Sequence, residues 1–479
     1  MILPLTPDLL HSGTNLLFDF VGLPSPLFLQ QPLTCLHTKQ PEEVVPLLHQ
    51  AEEAARSGHW VGGFLTYEAA AAFDLPVYNP GPLPLLWLAI CRHAQAAALL
   101  PPPQWLPPTL TLTCAPSRYA EDLQTILEHI ARGDSYQVNY TLSGQLGACN
   151  PASLFLALQS SHRHPYAAWI NWQDLQIASL SPELLLQRQG QQLLTAPIKG
   201  TSARFLDPQQ DARVGQEMAD SPKERAEHVM IVDMARNDLG RVCESGSIHV
   251  EQLFARRLFA SVQHLESRVY GRQRAALTWP QLMRSLFPAA SITGAPKYRT
   301  MEIIRQLEQR PRGIYTGSLF LLQPGGDLIS NVAIRTCCWQ HNQAGEIGLG
   351  GGIVADSQVA REWQELADKS RFLHQLPPEL LLIETLLLQA DGTLRDATAH
   401  WQRLQASAQA LGFVCDREQL AQQLQQQLAE WRQEQAEEWI VRVSLSAAGQ
   451  VTLQRRRRPT PLCHLQVQLA AQAVDRLDR

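Results

Sequence analysis

One lysine and two pairs of glutamates are the residues of this chain best suited to chemistry. Of its 40 basic residues only Lys39, Lys199, Lys223, Lys297 and Lys369 are lysine; arginine supplies the rest. Arginine is always charged, so it can bind an anion but cannot attack carbon. Lysine becomes a nucleophile or base once its surroundings lower its pKa from about 10.4. Lys199, in TAPIKGTSAR, therefore hints at a need for the amine itself, although chance alone accounts for its placement equally well. SPKERAEH sets Glu224 and Glu227 three apart on a helix that Ser221 can cap, with Pro222 in its first turn, and REWQELADK sets Glu362 and Glu365 likewise. Each pair has an ordinary structural explanation: Ser221-x-x-Glu224 is a capping box, and Glu365 can pair with Lys369 one turn on. Together, on one apolar-backed body, they can make an oxygen-rich site for Mg²⁺, which is usually held by one or two carboxylates with waters and substrate.

Two glycine-marked stretches accompany these residues. GLGGGIVADS places Gly348, Gly350, Gly351 and Gly352 after the strand-like AIRTCCW and its turn. Consecutive glycines weaken a strand and point to close backbone approach or a tight bend. SITGAPK forms a loop before the helix KYRTMEIIRQLEQ, whose first N–H groups are expected to face an anion.

The elements that must position these residues suggest a large α+β body. A chain of 479 residues is long enough for two or three domains. Two proline-rich breaks, PPPQWLPP at 101–108 and HQLPPE at 374–379, divide it. The expected organisation is an N-terminal subdomain (1–105), a core (106–376) and a C-terminal segment (379–479). PSRYAEDLQTILEHIARGD reads as a helix capped by Ser117, with Leu123, Ile126, Leu127 and Ile130 on one face and Gly133 stopping it. YAAWINW, LLLQRQG, GSLFLLQ and NVAIRTCCWQ read as strands, with Cys337 and Cys338 on opposite faces, one buried and one not. Beyond Pro378, LLLIETLLLQADGTL reads as two strands around a turn, ATAHWQRLQASAQALGF and REQLAQQLQQQLAEW as helices, and EWIVRVSLSAAGQVTLQ as a hairpin.

Charge and composition exclude several classes of function. A net charge of −5 and a pI near 6.3 argue against nucleic-acid or acidic-lipid partners. The run Arg455–Arg458 reads as a solvated strand end rather than a phosphate site. Nine cysteines without CxxC spacing suit reduced thiols in the cytoplasm. MILPLTPDLL lacks the basic n-region of a signal peptide, and no apolar run approaches a membrane span, so no membrane partner is expected.

Taken together, PIKGT, SPKERAEHVMIVDMARNDLGRV, SITGAPKYRTMEIIRQLE, YTGSLF, AIRT and GGGIVADSQVAREWQE resemble the chorismate-utilising enzymes. Within them they resemble the aminodeoxychorismate synthase component I branch. The resemblance is dense from about Tyr119 to Leu376 and looser over residues 1–100, through LLHSG and WVGGFLTYEAAAAFD. It implies a β-sandwich core with surrounding helices. It also implies that Lys199, where related anthranilate synthases carry alanine, attacks C2 of chorismate as the C4 hydroxyl leaves. Ammonia then enters at C4 and expels the lysine. Glu183 of SPELLL is the implied general acid, its pKa raised by an apolar setting such as Leu184–Leu186.

By the same resemblance Glu227 and Glu365 hold Mg²⁺, with Glu224 and Glu362 as further partners, and the metal holds the ring carboxylate. Arg335 and Tyr315 match binders of the substrate's carboxylates, an arginine fork suiting a carboxylate. Gly200, Thr201, Gly350, Gly351 and Gly352 match backbone contacts to substrate, and His264 matches a histidine near the reacting ring. Isochorismate-forming relatives carry a water-activating lysine where this chain has Gln137, so water is expected to be a poor nucleophile. No cysteine sits in a glycine-flanked nucleophile turn, so ammonia is expected from a glutamine amidotransferase partner or from solution.

Residues 379–479 resemble the first half of aminodeoxychorismate lyase, a PLP enzyme of fold type IV, through IETLLLQADG, AHWQRLQASAQALGF and IVRVSLS. No lysine follows Lys369 to carry a Schiff base, so neither PLP nor independent lyase activity is expected. The sequence stops at VDRLDR, about where the lysine-bearing half is expected to begin. The rival readings are an anthranilate synthase component I, against which Lys199 argues, and a non-catalytic subunit that activates a glutaminase or tethers a lyase. The full set of Lys199, Glu183, Glu227 and Glu365 argues against the second.

Overall fold

Strand-forming runs of the first 377 residues pair into two large, almost wholly antiparallel sheets. The computed structural model describes residues 2–102, 105–161, 163–203, 208–258, 262–340, 343–373, 381–411, 413–431, 438–446 and 449–457. The chain divides into two compact units, Met1–Pro377 and Pro378–Arg479. In the first unit one sheet runs, in order, Leu3–Leu5, Gln95–Leu99, Leu27–Gln30, Asn15–Phe20, Tyr166–Trp172, Leu175–Ser181, Thr336–Trp339, Gly345–Ile353, Gln137–Leu146 and Gly294–Ala295, with Leu110–Leu112 beside Gln137–Leu146. The other runs Ile198–Ala203, Val262–Arg272, Gln192–Ala196, Leu184–Gln189, Leu328–Asn331, Ser318–Leu322, Trp60–Leu65, Leu86–Cys91 and Thr34–Thr38, with His249–Leu258 beside Val262–Arg272.

The sheets pack face to face. Phe18, Ile170 and Ile177 of the first meet Phe64, Trp87, Leu319 and Leu321 of the second in one buried cluster. Burial of large apolar side chains between two sheets is the main stabilising term of such a sandwich. Helices cover the outer faces: Pro41–Arg56, Pro222–Gly240 and Trp279–Leu286 on the second sheet, and Pro116–Ala131, Pro151–Ser161, Lys297–Glu308 and Val359–Ser370 on the first. Strands from the first 105 residues join both sheets, Asn15–Phe20 pairing with Tyr166–Trp172 and Trp60–Leu65 with Ser318–Leu322.

Several local expectations change for identifiable reasons. NVAIRTCCWQ is not one strand. Leu328–Asn331 belongs to the second sheet and Thr336–Trp339 to the first, so residues 332–335 cross between them. Residues 182–183 make the same crossover one strand away, from Leu175–Ser181 to Leu184–Gln189. The Pro116–Ala131 helix is entered through Ala115 rather than capped by Ser117, because Pro116, with φ preset and no N–H to lose, takes its first position. The cysteine expectation holds: Cys337 is buried in the outer core while Cys338, against the inter-sheet core on the opposite face, stays partly exposed, and burial raises both thiol pKa values.

The second unit has a three-stranded antiparallel sheet of Leu381–Leu388, Trp439–Ser446 and Val451–Arg457. Helices Ala397–Leu411 and Arg417–Trp431 bury Leu404, Ala408, Leu420, Leu424 and Leu428 against it. The turn at Asp391–Gly392 is followed by a single bridge, Leu388 to Leu394, rather than a second strand. Arg455 is not simply solvated: its guanidinium lies 4.4 Å from the Trp439 ring centroid. Arg458 lies outside the described residues. Among the described residues no helix is long and apolar enough to cross a membrane.

Candidate active site

The two crossovers place the first functional groups. Glu183 sits on one and Arg335 on the other, and their backbones are tied: Val332 N–H donates to the Glu183 carbonyl (3.0 Å) and Leu180 N–H to the Arg335 carbonyl (3.0 Å). Arg335 takes φ = +51°, uncommon for a bulky residue and a form of strain found at functional sites. Both side chains line one cleft, reached also by Ile198–Gly200 and His264 at the end of the second sheet and by Asn139 and Gly348–Gly350 of the first. Polar side chains and glycines stand here where the sandwich elsewhere has apolar contacts.

A glycine bulge aims the lysine. Lys199 pairs with Leu265 and Thr201 with His264, leaving Gly200 as the extra residue at φ = +70°. A bulge of this kind re-aims its neighbour's side chain, and glycine alone takes that φ at no steric cost. The Lys199 side chain is 15% exposed and points into the cleft, with Nζ 3.8 Å from Glu227 Oε2. The Thr201 side chain lies outside the described residues.

Glu183 is 3% exposed, and Ser291 Oγ donates to its Oε1 (2.6 Å). Burial pushes its pKa up to about 7, against the lowering effect of the Ser291 hydrogen bond, the Ile198 N–H and the Lys199 charge. Its apolar surroundings include Ile231 and Ala235 of the Pro222–Gly240 helix and Leu286, as well as Leu184 and Leu185. Half protonated near neutrality, Glu183 can both give and take a proton.

His264 is neutral, because burial and then the Arg335 charge push its pKa down to about 3. Its Nδ1–H donates to the Gly200 carbonyl (2.9 Å), and its Nε2 accepts from Arg335 Nη2 (2.6 Å). In that state its ring nitrogen can steady the guanidinium. Tyr315 is buried against Gly348, and burial pushes its hydroxyl up to about 12. A Cβ on Gly348 would stand 2.0 Å from Tyr315 Cγ. Gly348→Ala is therefore expected to force that buried ring to move at its root and to cost about 1–3 kcal/mol, read by calorimetry as a lowered melting temperature.

The two glutamate pairs converge. Ser221 Oγ accepts from Glu224 N–H (3.4 Å), fixing the start of the Pro222–Gly240 helix, while the Glu224 side chain turns into the cleft beside Glu227. Glu362 and Glu365 enter from the Val359–Ser370 helix, Glu362 accepting from Ser357 Oγ (2.6 Å) and Glu365 pairing with Lys369 (2.7 Å). Burial and then Glu227 raise Glu224, burial and the Glu365 charge raise Glu362, and Lys369 lowers Glu365. Among the described residues no three His, Cys, Asp or Glu donors stand close enough to enclose a metal ion unaided. A hard cation that keeps waters and takes one or two carboxylates still fits this cluster, whose half-buried acids repel one another.

Three features escaped sequence reasoning. Ser291, Asn139 and Lys223 line the cleft without having been singled out for it. Lys223 reaches across to Asp356 (3.1 Å). Gly351 does not line the cleft, though a Cβ there would meet Glu362, Lys369 and Glu365 at 3.5, 3.7 and 3.8 Å. The first turn of the Lys297–Glu308 helix is also absent from the lining. Its Lys297 folds back onto Asp238 (3.0 Å) and the Ser285 carbonyl (3.3 Å) instead.

Comparison with known proteins agrees with this architecture. The chorismate binding enzyme profile matches residues 29–375. The chain is 43% identical over 279 residues to aminodeoxychorismate synthase component 1 of Klebsiella aerogenes, covering 56% of this chain and 61% of that protein. It is 38% identical over 282 residues to an anthranilate synthase component 1 of Haloarcula marismortui, covering 59% and 58% respectively. The match thus spans about six-tenths of these relatives' length. Anthranilate synthase component I of Streptococcus pneumoniae superposes with a TM-score of 0.63 at 23% identity, over 73% of this chain and 92% of that one. A putative isochorismate synthase of Bacillus anthracis superposes with a TM-score of 0.64 at 22% identity, over 78% and 99%, a likeness of fold. With nearly three-quarters of its length inside that profile and its polar cleft at the open end of the shared sandwich, the chain belongs to the chorismate binding enzyme family.

Proposed function

We propose that this protein aminates chorismate at C4, giving 4-amino-4-deoxychorismate for 4-aminobenzoate and folate synthesis, as an aminodeoxychorismate synthase component I. The observation that carries the reading is that a lysine amine and a buried carboxyl whose pKa burial raises line one cleft, Lys199 and Glu183. The neutral Lys199 amine adds to C2, the ring double bond shifts, and the C4 hydroxyl departs as water with the proton of Glu183. Ammonia then adds at C4, the double bond returns, and Lys199 leaves as the free amine. The Glu183 carboxylate takes the proton that the new ammonium group sheds, which restores the starting state. Splitting one substitution into two lowers each barrier.

Arg335, steadied by His264, and Tyr315 suit the substrate's carboxylates, with the backbone of Gly200, Thr201, Gly350 and Gly352 around the ring. Glu227 and Glu365, supported by Glu224 and Glu362, would hold Mg²⁺. Bound there, the ion would neutralise the ring carboxylate of chorismate. Ammonia would come from a separate glutamine amidotransferase in the cytoplasm. The eight described cysteines are all free, which suits that compartment.

The test incubates the chain with chorismate, Mg²⁺ and ammonium, then adds an authentic aminodeoxychorismate lyase. 4-Aminobenzoate is expected only after the lyase, with no pyruvate released before it. Fluorescent anthranilate and early pyruvate would instead establish the rival activity, for which the 38% identical anthranilate synthase is the precedent.

A further inference from the structure

We infer that Gln137 is a positioning residue for the Lys199 amine, supplying a neutral hydrogen-bond acceptor that turns the nitrogen toward the substrate. This rests on the reading in which Lys199 attacks chorismate. Gln137 is 0% exposed, and neither its side-chain oxygen nor its nitrogen has a hydrogen-bond partner. Native proteins seldom leave a buried amide wholly unpaired without a use for it. The Lys199 amine is similarly placed: the Glu227 carboxylate stands 3.8 Å away, beyond hydrogen-bond length.

The two groups are neighbours. A Cβ on Gly352 would lie 2.5 Å from Lys199 Nζ and 3.2 Å from Gln137 Nε2, so both atoms border the space that glycine leaves free. The two ends of a carboxamide are exchanged by a simple flip, which sets Oε1 where Nε2 is drawn. A modest rotation of the lysine then closes an N–H···O bond. The glutamine backbone is held in register, Gln137 pairing with Ala295 and accepting Ser135 Oγ at its carbonyl (2.8 Å). Only its side chain is left to adapt.

The chemistry follows from the choice of acceptor. Glu227 alone would draw the amine toward the acidic cluster. A second acceptor, the amide oxygen, takes one N–H and leaves the nitrogen lone pair free for the substrate. Misplacing a reacting atom by about 1 Å costs on the order of a hundredfold in rate.

The test compares Gln137→Met, which keeps the length without the polar atoms, with Lys199→Ala in the full chain. For Gln137→Met, kcat is expected to fall about 10- to 100-fold while the KM for chorismate stays within twofold. The rate at which a chorismate-derived mass appears on the protein under rapid quench should fall by the same factor. The melting temperature should not drop, since the amide bonds no element of the fold and methionine fills the same buried space without a polar group to desolvate. A wild-type kcat, or a lost kcat accompanied by a lowered melting temperature, overturns the inference. A fully active Lys199→Ala would instead overturn the underlying reading, whereas an inactive Lys199→Ala beside a wild-type Gln137→Met would sink the Gln137 inference alone.

Discussion

Lys199→Ala is expected to lower kcat for chorismate amination at saturating ammonium by at least about a hundredfold, with the KM for chorismate changed only severalfold. The amine's ion-pair partner Glu227 stands 3.8 Å away, so its removal should leave the strand and its bulge intact. What disappears, on the proposed mechanism, is the group that forms the bond to C2, and a few kcal/mol of lost transition-state stabilisation amounts to a hundredfold or more. Lys199→Arg separates nucleophile from cation. Arginine keeps the positive charge near Glu227 and Glu183 but cannot attack carbon, so it should be as inactive as alanine. Unchanged turnover in the alanine variant, or recovery with arginine, would remove the covalent step. The measurements are steady-state rates through the coupled lyase assay and intact-protein mass after rapid quench.

The residue types of this site were legible in the sequence, and their convergence was not. The scarcity of lysine singled out Lys199, and helical spacing put Glu224 with Glu227 and Glu362 with Glu365. Nothing local shows that the two helices carrying those pairs face one another across a cleft, because sheet order sets that and sheet order is a long-range property. Glu183 and Arg335 owe their places to two adjacent sheet-to-sheet crossovers, and a strand pattern cannot show which sheet its strand joins. NVAIRTCCWQ therefore read as one strand although its midpoint crosses the sandwich. The burial that shifts Glu183 comes largely from residues far along the chain, including Ile231, Ala235 and Leu286. The Lys297 side chain was unreadable for a similar reason: helix polarity was legible, but the long-range partner Asp238 was not. Glycine was the exception. Gly352 announced close approach through its run of glycines and Gly200 entered through the family resemblance, and the structure supplies a lysine beside the first and a bulge at the second.

Glu183→Gln should separate activity from stability in opposite directions. Burial raises the native pKa from 4.5 to about 7. Between those values the folded protein holds a proton that the unfolded chain gives up, so this group's contribution to stability falls as pH rises through the window. Above about pH 7 the full penalty of a buried carboxylate remains, on the order of 3 kcal/mol at 1.36 kcal/mol per pKa unit. Glutamine mimics the protonated acid and ionises at no pH. The variant should therefore melt higher than the wild type at pH 8 and level with it near pH 4, by calorimetry at matched ionic strength. Its kcat/KM should fall about 100- to 1,000-fold, because a positioned proton donor commonly supplies that much. The wild-type kcat/KM profile should lose activity on the basic side near pH 7, and that limb should vanish in the variant. Ser291→Ala should move the limb to higher pH, since the Ser291 hydrogen bond lowers the Glu183 pKa. A Glu183→Gln enzyme with wild-type kcat/KM would place the proton donor elsewhere. An unchanged melting temperature at pH 8 would mean that the carboxyl is already hydrated or ion-paired in the free enzyme.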